Sequence, residues 1–389
     1  MNAHTGQRRR LLGGLLAAAG AATLLPPARA ALAVAPACAP WREWTAFVAK
    51  HLDASGRVID FQHADQRSTS EGQSYALFFA LVANDQVLFE RVLGWTRHNL
   101  CGGRPQQVLP AWLWGRASDG SWRVLDGNSA SDADLWIAYV LLEAGRLWQR
   151  PGYTQAGLQM LALVRRTELA ELPGFGSMLL PAAKGFVQPQ RWTLNPSYLP
   201  LQLLRRFAAV DPKGPWAGLA TRSARMLRDS APVGFAPDWI AWDGRAFGVD
   251  PDKGALGSYD AIRVYLWAGM LDAADPLRKS LLDDLSGPLQ QLRAQGRLDE
   301  KIDTRQGVGS GQAPPGFAAA LLPYLSALRE PALLKAQAQR IPAPGDTAAA
   351  RLPYYDRVLI LFGRAWLDNR YRFSADGALQ PAWRTQCSA

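Results

Sequence analysis

Cysteine and histidine are scarce in this chain of 389 residues, which contains three and four of them, respectively. Three cysteines are too few for a disulfide-rich scaffold, and no C-x-x-C or paired-histidine spacing suggests a zinc site. The scattered histidines also leave little for histidine-based catalysis: His4, His51, His63 and His98. We therefore expect no metal site, and we expect carboxylates to carry any acid–base chemistry.

A long membrane-spanning run is missing near the N-terminus, where the apolar stretch 11–25 is too short to cross a bilayer in the usual way. Arginines 8–10 precede this stretch, and the residues Pro-Pro-Ala-Arg-Ala (26–30) follow it. The pattern is typical of a secretory signal peptide. It predicts cleavage after residues 1–30, with a periplasmic or secreted mature chain. An uncleaved anchor is the alternative, and the consecutive arginines resemble a twin-arginine export signal.

Positive charge is also modest once this segment is removed. Residues 1–30 contain four arginines and no acid, so their removal lowers the net charge from +10 to +6. The remaining chain has no dense basic stretch interleaved with aromatic residues. We therefore expect no nucleic-acid partner and no stable membrane insertion after cleavage.

Export would permit disulfides in the mature chain. Cys38 and Cys387 lie near its two ends, whereas Cys101 lies in a predicted loop. A Cys38–Cys387 bond with Cys101 free is the arrangement that we favour, although the sequence leaves the pairing open.

Long apolar stretches with helical spacing dominate the sequence, and the alternation typical of strands is rare. Six stretches are apolar nearly all round, which is typical of helices buried on every side. They start near Glu71, Asp132, Pro196, Tyr259, Gly316 and Pro353. More amphipathic helices are predicted between them, with starts near Trp41, Val87, Tyr153, Pro215, Leu277 and Ala332.

This alternation predicts an all-α fold with two concentric rings of helices, an (α/α)6 barrel that forms a single domain over residues 31–389. A ring of hairpins also accounts for the length, because its core grows as hairpins are added. An open α-solenoid would show the same alternation. It usually exposes one face of each inner helix, and the apolar character of the six stretches favours the closed ring.

Three acids stand at the starts of predicted inner helices: Glu71, Asp132 and Asp260. Each has a purely structural alternative, namely a capping box with Ser68, a favourable helix-dipole interaction, or a local ion pair with Arg263, respectively. The barrel would nevertheless bring all three to one mouth. Like charges at close range repel, so we expect such a cluster only where chemistry requires it.

Tryptophans concentrate around the loops that lead into the same helices: Trp112, Trp114, Trp122, Trp192, Trp239 and Trp242. A single tryptophan more often fills a core, but the group suits stacking on sugar rings. Acids among aromatics favour glycoside hydrolysis, in which one carboxylic acid protonates the leaving oxygen and a carboxylate assists from the other face. The acid must stay protonated near neutral pH, so we expect it to have a close carboxylate neighbour.

At these residues the chain resembles glycoside hydrolase family 8, and within it the bacterial branch associated with cellulose synthesis. The resemblance implies an (α/α)6 barrel, no cofactor, and a cellulase that cleaves internal β-1,4-glucosidic bonds with inversion. It spans nearly the whole mature chain, through ASDAD (130–134), TSEGQSYALF (69–78), LPAWLWGR (109–116), GFGSMLLP (174–181), NPSYLP (195–200), FAPDW (235–239), SYDAIRVYLW (258–267) and RFSADGALQPAW (372–383).

The resemblance also implies roles for individual residues. Glu71 matches the general acid, and Asp260 matches the base that activates water. Asp132 matches the acid traditionally marked as nucleophile, and holding the sugar at the cleavage point is the role that we expect for it. Four further residues match substrate-contacting positions: Trp112 and Trp114 in the sugar-stacking region, Tyr198 beside the attacking water, and Arg263 beside the base.

The expected partner is a β-1,4-glucan, and a cellulose synthase complex is a further candidate. We expect the chain itself to be a monomer. Two alternatives remain open at this point. The chain could hydrolyse xylan, chitosan or mixed-linkage glucan, or it could be a non-catalytic glucan-binding component. Inversion would place the carboxyl groups of Glu71 and Asp260 about 6.5–9.5 Å apart.

Overall fold

The computed structural model describes residues 38–385, so the predicted signal peptide and Cys387 lie outside the described residues. The described residues belong to one compact unit. Helices dominate this part of the chain: α1 (Arg42–His51), α2 (Ser70–Val82), α3 (Gln86–Trp95), α4 (Ser131–Leu147), α5 (Pro151–Thr167), α6 (Leu201–Val210), α7 (Trp216–Ser230), α8 (Ile262–Met270), α9 (Arg278–Asp284), α10 (Gly287–Gln295), α11 (Pro315–Ala327), α12 (Pro331–Gln339), α13 (Thr347–Arg351), α14 (Tyr354–Leu367) and α15 (Ala382–Thr385).

Six of these helices, α2, α4, α6, α8, α11 and α14, form the inner ring and begin close to the predicted starts. Successive inner helices pack against one another from α2 round to α14. The ring closes where the Phe362 ring of α14 meets Phe78 and Phe79 of α2, with centroids 5.5 and 4.7 Å apart. The fold is therefore the predicted (α/α)6 barrel, and the open solenoid is wrong.

The inner helices differ in how completely they are buried. All nine residues of α8 are buried, as are most residues of α2 and α4. The prediction of all-round burial is wrong for α6, in which only the first four residues and Phe207 are fully buried. Arg205 and Arg206 on α6 are half-buried, and their charges are paired with Asp275 and Glu143, at 2.8 and 2.5 Å.

Aromatic side chains fill the centre of the barrel. Trp136, Trp267 and Phe362 meet there with ring centroids between 5.1 and 5.6 Å apart. Close helix packing around them depends on a small residue in α14, because a Cβ at Gly363 would collide with the carbonyl oxygen of Ala319 in α11. Trp136 and Trp267 therefore fill the core, which is the more common place for a single tryptophan.

The strands are short and form five small antiparallel sheets. Four sheets lie in the connections before inner helices, and the fifth follows α14 and contacts the other end of the barrel, where the Tyr139 hydroxyl donates to Gly377 O at 2.8 Å. The strands are β1 (Ser68–Thr69), β2 (Leu113–Arg116), β3 (Trp122–Asp126), β4 (Leu169–Leu172), β5 (Gly176–Leu179), β6 (Val187–Gln188), β7 (Arg191–Leu194), β8 (Ile240–Trp242), β9 (Phe247–Val249), β10 (Leu256–Gly257), β11 (Lys301–Asp303), β12 (Val308–Ser310), β13 (Tyr371–Phe373) and β14 (Leu379–Pro381).

The described cysteines differ in state. Cys38 is disulfide-bonded, whereas Cys101 is a buried free thiol. Cys387, the partner that we favour for Cys38, lies outside the described residues. Within residues 38–385, no helix combines the length and apolar character needed to cross a bilayer.

Candidate active site

One guanidinium group gathers the three predicted acids at the mouth of the barrel. Arg263, the second residue of α8, is only 3% exposed. Its Nη1 donates to Glu71 Oε2 at 2.5 Å, to Asp132 Oδ2 at 3.1 Å and to the Tyr75 hydroxyl at 2.9 Å. Its Nη2 donates to Asp260 Oδ1 at 2.6 Å. The local ion pair at Asp260 therefore exists, but it is one part of a larger cluster.

Glu71 does not cap its own helix. Thr69 is the N-cap of α2, because its hydroxyl accepts a hydrogen bond from the backbone N–H of Gly72 at 3.0 Å. Ser68 turns away and donates to the carbonyl oxygen of Val58 at 2.5 Å. The capping-box alternative is therefore wrong, and the Glu71 carboxyl points to Arg263 at the mouth.

The three carboxylates differ in their access to solvent. The Asp132 side chain is 4% exposed, whereas those of Glu71 and Asp260 are 23% and 26% exposed. Asp132 also accepts the backbone N–H of Ala133 at 2.8 Å, which is favourable at a helix N-terminus. Asp132 thus lies at the floor of the mouth, and the other two acids stand where a ligand can reach them.

Asp260 precedes α8 instead of lying within it, and a buried aspartate holds the turn that carries it. Asp238 accepts backbone N–H groups from Ser258, Asp260 and Ala261 at 2.8, 3.1 and 2.7 Å. Burial, together with the charge of Asp260, raises the pKa of Asp238 to about 6. Asp238 was not predicted as a site residue, although it lies in the segment FAPDW (235–239) that carries part of the family resemblance.

The cluster contains three acids and one arginine, and this imbalance favours protonation. Burial, together with the charges of Asp132 and Asp260 and against the opposing effect of Arg263, raises the pKa of Glu71 to about 7. Burial likewise raises the pKa of Asp132. The pKa of Arg263 lies well above its ordinary value, since Tyr355, Tyr75 and the acids around it favour the cation over the cost of burial. Glu71 is therefore the carboxyl with a neighbouring carboxylate that the acid role requires.

Tyrosines surround the arginine on several sides. The Tyr198 ring lies 5.5 Å from Cζ of Arg263, which places this predicted residue in the cluster. Tyr75 and Tyr355 were not predicted. Tyr75 stands four residues after Glu71 on the same helix face, and the Tyr355 hydroxyl donates to the carbonyl oxygen of Tyr259 at 2.8 Å. The position of Tyr355 near the start of a predicted inner helix is the feature of the sequence that could have indicated it.

The two predicted sugar-stacking tryptophans have different surroundings. Trp114 stacks on Trp122 with centroids 5.4 Å apart, and Arg57 lies 4.4 Å from the centre of its ring. Trp112 is half-buried and stacks on no other ring among residues 38–385. Its carbonyl oxygen accepts the N–H of Ser70 at 3.1 Å, beside Glu71. Trp112 is therefore the better placed of the two to offer a ring face to a ligand.

The remaining loop tryptophans do not form one surface. Trp239 stacks on Phe186 at 5.8 Å and meets the edge of Tyr198 at 6.1 Å, so it lies near the cluster. Trp242 is only 3% exposed and packs on Phe247, with centroids 4.8 Å apart. The expected ligand role is wrong for Trp242, since its ring belongs to the packing of the four-stranded sheet.

Known proteins resemble this chain over most of its length. The profile of glycosyl hydrolases family 8 matches residues 21–369. The chain belongs to this family. An endoglucanase of Xanthomonas axonopodis pv. citri is 68% identical over 98% of this chain and 99% of its own length. An endoglucanase of Escherichia coli K12 is 42% identical over 92% of this chain and 95% of its own.

A solved structure supports the same assignment. The endo-1,4-D-glucanase of Vibrio fischeri ES114 is 42% identical and superposes with a TM-score of 0.81, covering 89% of this chain and 100% of its own. The family 8 chain therefore shares both fold and sequence with these relatives over nearly their full length.

Proposed function

We propose that this family 8 chain is an endo-β-1,4-glucanase that hydrolyses internal bonds of cellulose by single displacement with inversion. The observation that carries the proposal is the cluster in which Arg263 contacts Glu71, Asp132 and Asp260. Two partly exposed carboxylates suit an acid and a base, and the buried third suits a sugar-holding group. This arrangement fits the proposed mechanism better than a structural ion pair does. The relatives named endoglucanase support the choice of substrate.

Glu71 is the general acid in this mechanism. Because burial raises its pKa to about 7, a large fraction of Glu71 carries the proton that the leaving oxygen needs near neutral pH. When the proton leaves, Arg263 stays within 2.5 Å and stabilises the resulting anion.

Asp260 is the general base that activates water. Its second carboxylate oxygen, Oδ2, is not used by Arg263, which contacts Oδ1. The turn held by Asp238 fixes the backbone beneath it. Tyr198 lies over the arginine and would bound the water position, while Asp132 would hold the sugar at the cleavage point.

The chain would act outside the cytoplasm, after cleavage of residues 1–30, and serve cellulose production as a monomer beside a synthase complex. Residues 8–30 support export because they combine arginines, an apolar stretch and a small-residue site. The resemblance to the cellulose-linked branch supports the cellular role.

The decisive experiment follows the anomeric protons of a soluble cello-oligosaccharide by NMR while the purified protein acts on it. Early α-anomer is the expected result and supports both cleavage and inversion. Early β-anomer would contradict inversion and return Asp132 to the nucleophile role. Absence of cleavage, with xylo-oligosaccharide or chitosan cleaved instead, would contradict the substrate, and binding without cleavage of any of them would favour the non-catalytic alternative.

A further inference from the structure

A second pair of acids lies behind Asp132 and has no part in the proposed chemistry. Asp134 on α4 and Glu168 at the end of α5 are both 0% exposed. Their carboxyl groups lie within hydrogen-bonding reach of each other, but neither can donate unless one of them carries a proton. Ser129 donates a further hydrogen bond from its hydroxyl to Glu168 Oε1 at 2.6 Å. Within residues 38–385, neither acid takes part in an ion pair with lysine or arginine.

The pair needs a shared proton. If both groups were ionised, Asp134 Oδ1 and Oδ2 and Glu168 Oε2 would be buried without a donor among the described residues. Two buried carboxylates without a cation are also strongly unfavourable. Burial raises the pKa of Glu168 to about 8, and burial with the charge of Glu168 raises that of Asp134 well above its ordinary value. One proton therefore remains on the pair at neutral pH.

The pair connects two segments that meet at the start of α4. The Ser129 hydroxyl, which donates to Glu168, accepts the N–H of Ala183 at 3.1 Å. The N–H of Ser131 donates to Pro181 O at 2.9 Å, and the N–H of Leu180 donates to Glu168 O at 2.8 Å. Residues 180–183 are thus tied to residues 129–131, the backbone that leads directly into Asp132.

Few charged groups face the pair. Asp132, on α4 itself, acts on both acids with its negative charge. The π-helical turn Thr96–Leu100 is followed by Cys101, whose thiol interacts electrostatically with Asp134. Arg97, on the same turn, interacts electrostatically with that thiol. Burial, with the charge of Asp134, raises the pKa of Cys101 to about 12, so the thiol stays neutral. From the segment after β5, the backbone N–H groups of Leu180 and Ala183 donate to Glu168 O and to the Ser129 hydroxyl.

We propose that Asp134 and Glu168 are positioning residues, whose shared proton ties residues 180–183 to the start of α4 and so sets the place of Asp132 in the mouth. The inference rests on the proposed glucanase function, because Asp132 is taken to hold the sugar. Neither acid touches substrate. Loss of the shared proton at alkaline pH separates the two segments and moves Asp132.

The activity test compares two substitutions at one position. Asp134→Asn keeps a permanent donor toward Glu168, whereas Asp134→Ala removes the bond. We expect Asp134→Asn to keep kcat and KM on a cello-oligosaccharide within about twofold at pH 6, and Asp134→Ala to raise KM and lower kcat, together by about tenfold or more, the scale of one lost hydrogen bond to a charged group. Wild-type kinetics in Asp134→Ala, or an Asp134→Asn protein as impaired as Asp134→Ala, would overturn the proposal.

A second variant covers the case in which Asp134→Ala does not fold. Ser129→Ala removes only the hydroxyl between Glu168 and Ala183, and we expect a several-fold rise in KM with a melting temperature at pH 6 that falls by only a few degrees, so that the protein stays folded. An unchanged KM in this variant would contradict the positioning role.

The proton itself is tested without any turnover, by melting temperature between pH 5 and pH 8. A carboxyl with a raised pKa binds its proton more tightly in the folded than in the unfolded chain, so stability falls as pH rises above about 4, the unfolded value. In a Glu71→Gln background, which removes the mouth acid with the same tendency, adding Asp134→Asn should make this fall shallower. An equal fall in both proteins would overturn the shared proton. A shallower fall, together with a chain that cleaves no glucan even when Glu71 is intact, would leave the pair standing and remove the proposed function.

Discussion

The two ends of the barrel each bury carboxylates against arginine, but in opposite proportions. At the mouth, three acids share the guanidinium of Arg263. At the other end, the single carboxylate of Glu143, which is fully buried, accepts hydrogen bonds from Arg146 Nε at 3.0 Å, from Arg206 Nε at 2.5 Å and from the N–H of Leu379 at 2.8 Å.

In the proposed mechanism, this difference separates a group kept for stability from a group kept for chemistry. Around Glu143, two cations and a backbone donor satisfy both carboxylate oxygens, and the bonds join α4, α6 and β14. Around Arg263, surplus negative charge costs folding free energy, and burial together with this surplus raises the pKa of Glu71 to about 7. A folded chain gains nothing from that surplus, whereas an acid catalyst requires it.

The largest expected effect is on the rate after Glu71→Gln. An amide cannot protonate the leaving oxygen, so we expect kcat to fall by about 10²–10⁴, the usual contribution of a general acid. The melting temperature at pH 8 should not fall, because one of three crowded negative charges is removed. Steady-state kinetics and thermal unfolding measure both. A lower melting temperature with normal kcat would make Glu71 a structural residue.

Glu143→Gln should have the opposite signature at the other end of the barrel. The substitution leaves Arg206, whose side chain is 13% exposed, without its counter-charge. Breaking a buried pair in this way costs about 3–5 kcal/mol of unfolding free energy. Urea unfolding measures the loss, while kcat per folded molecule should stay normal. A large fall in kcat in the folded protein would mean that the two ends do not differ as described.

The pH dependence of kcat/KM should depend on the acids of the mouth. Glu71 must carry its proton, so kcat/KM should decline above pH 7 with an apparent pKa that belongs to the coupled acids of the mouth. Because the folded pKa of Glu71 is raised, its contribution to stability is present below about pH 4.3, the unfolded value, and is lost as pH rises toward 7. A pH–rate profile from pH 5 to 9 checks the first expectation, and a flat profile above pH 7 would contradict it.

The smallest effect is expected for Arg146→Met. The Arg146 side chain is 39% exposed, and Glu143 keeps Arg206 and Leu379 as donors after its removal. Methionine also preserves much of the apolar stem. We expect a loss of about 1 kcal/mol, the net value of a hydrogen bond in proteins, by urea unfolding. A loss as large as that for Glu143→Gln would show that both arginines are indispensable there.

Helix positions were predictable because burial on a helix repeats locally along the chain. The inner helices α2, α4, α11 and α14 begin within one residue of the predicted starts. The prediction was wrong where partners lie far away in sequence. The burial of α6 depends on Asp275 and Glu143, each more than 60 positions from the arginines that they pair with.

The same distinction applies to the site. Each of the three acids stands at or just before a helix start and follows a serine by one or two positions, so the local pattern and the family resemblance both indicated them. Asp238 acts on a backbone turn 20 to 23 positions away, and Glu168 reaches Ser129 across 39 positions. Nothing near either residue in the sequence indicates these contacts. Only the folded barrel brings the groups together, which is why both were missed.

Closure of the ring by Phe362 has a consequence for how the molecule is made. The mouth draws on α2, α4, α8 and α14, and Arg263 binds Glu71 across 192 positions of the chain. Contacts at such separation form late, because the intervening chain must first be ordered. A ribosome-bound or partly translocated chain lacking α14 would have neither Phe362 nor Tyr355. Hydrolytic activity would then appear only after α14 has been synthesised and has closed the ring. The time at which activity appears would report the last step of folding.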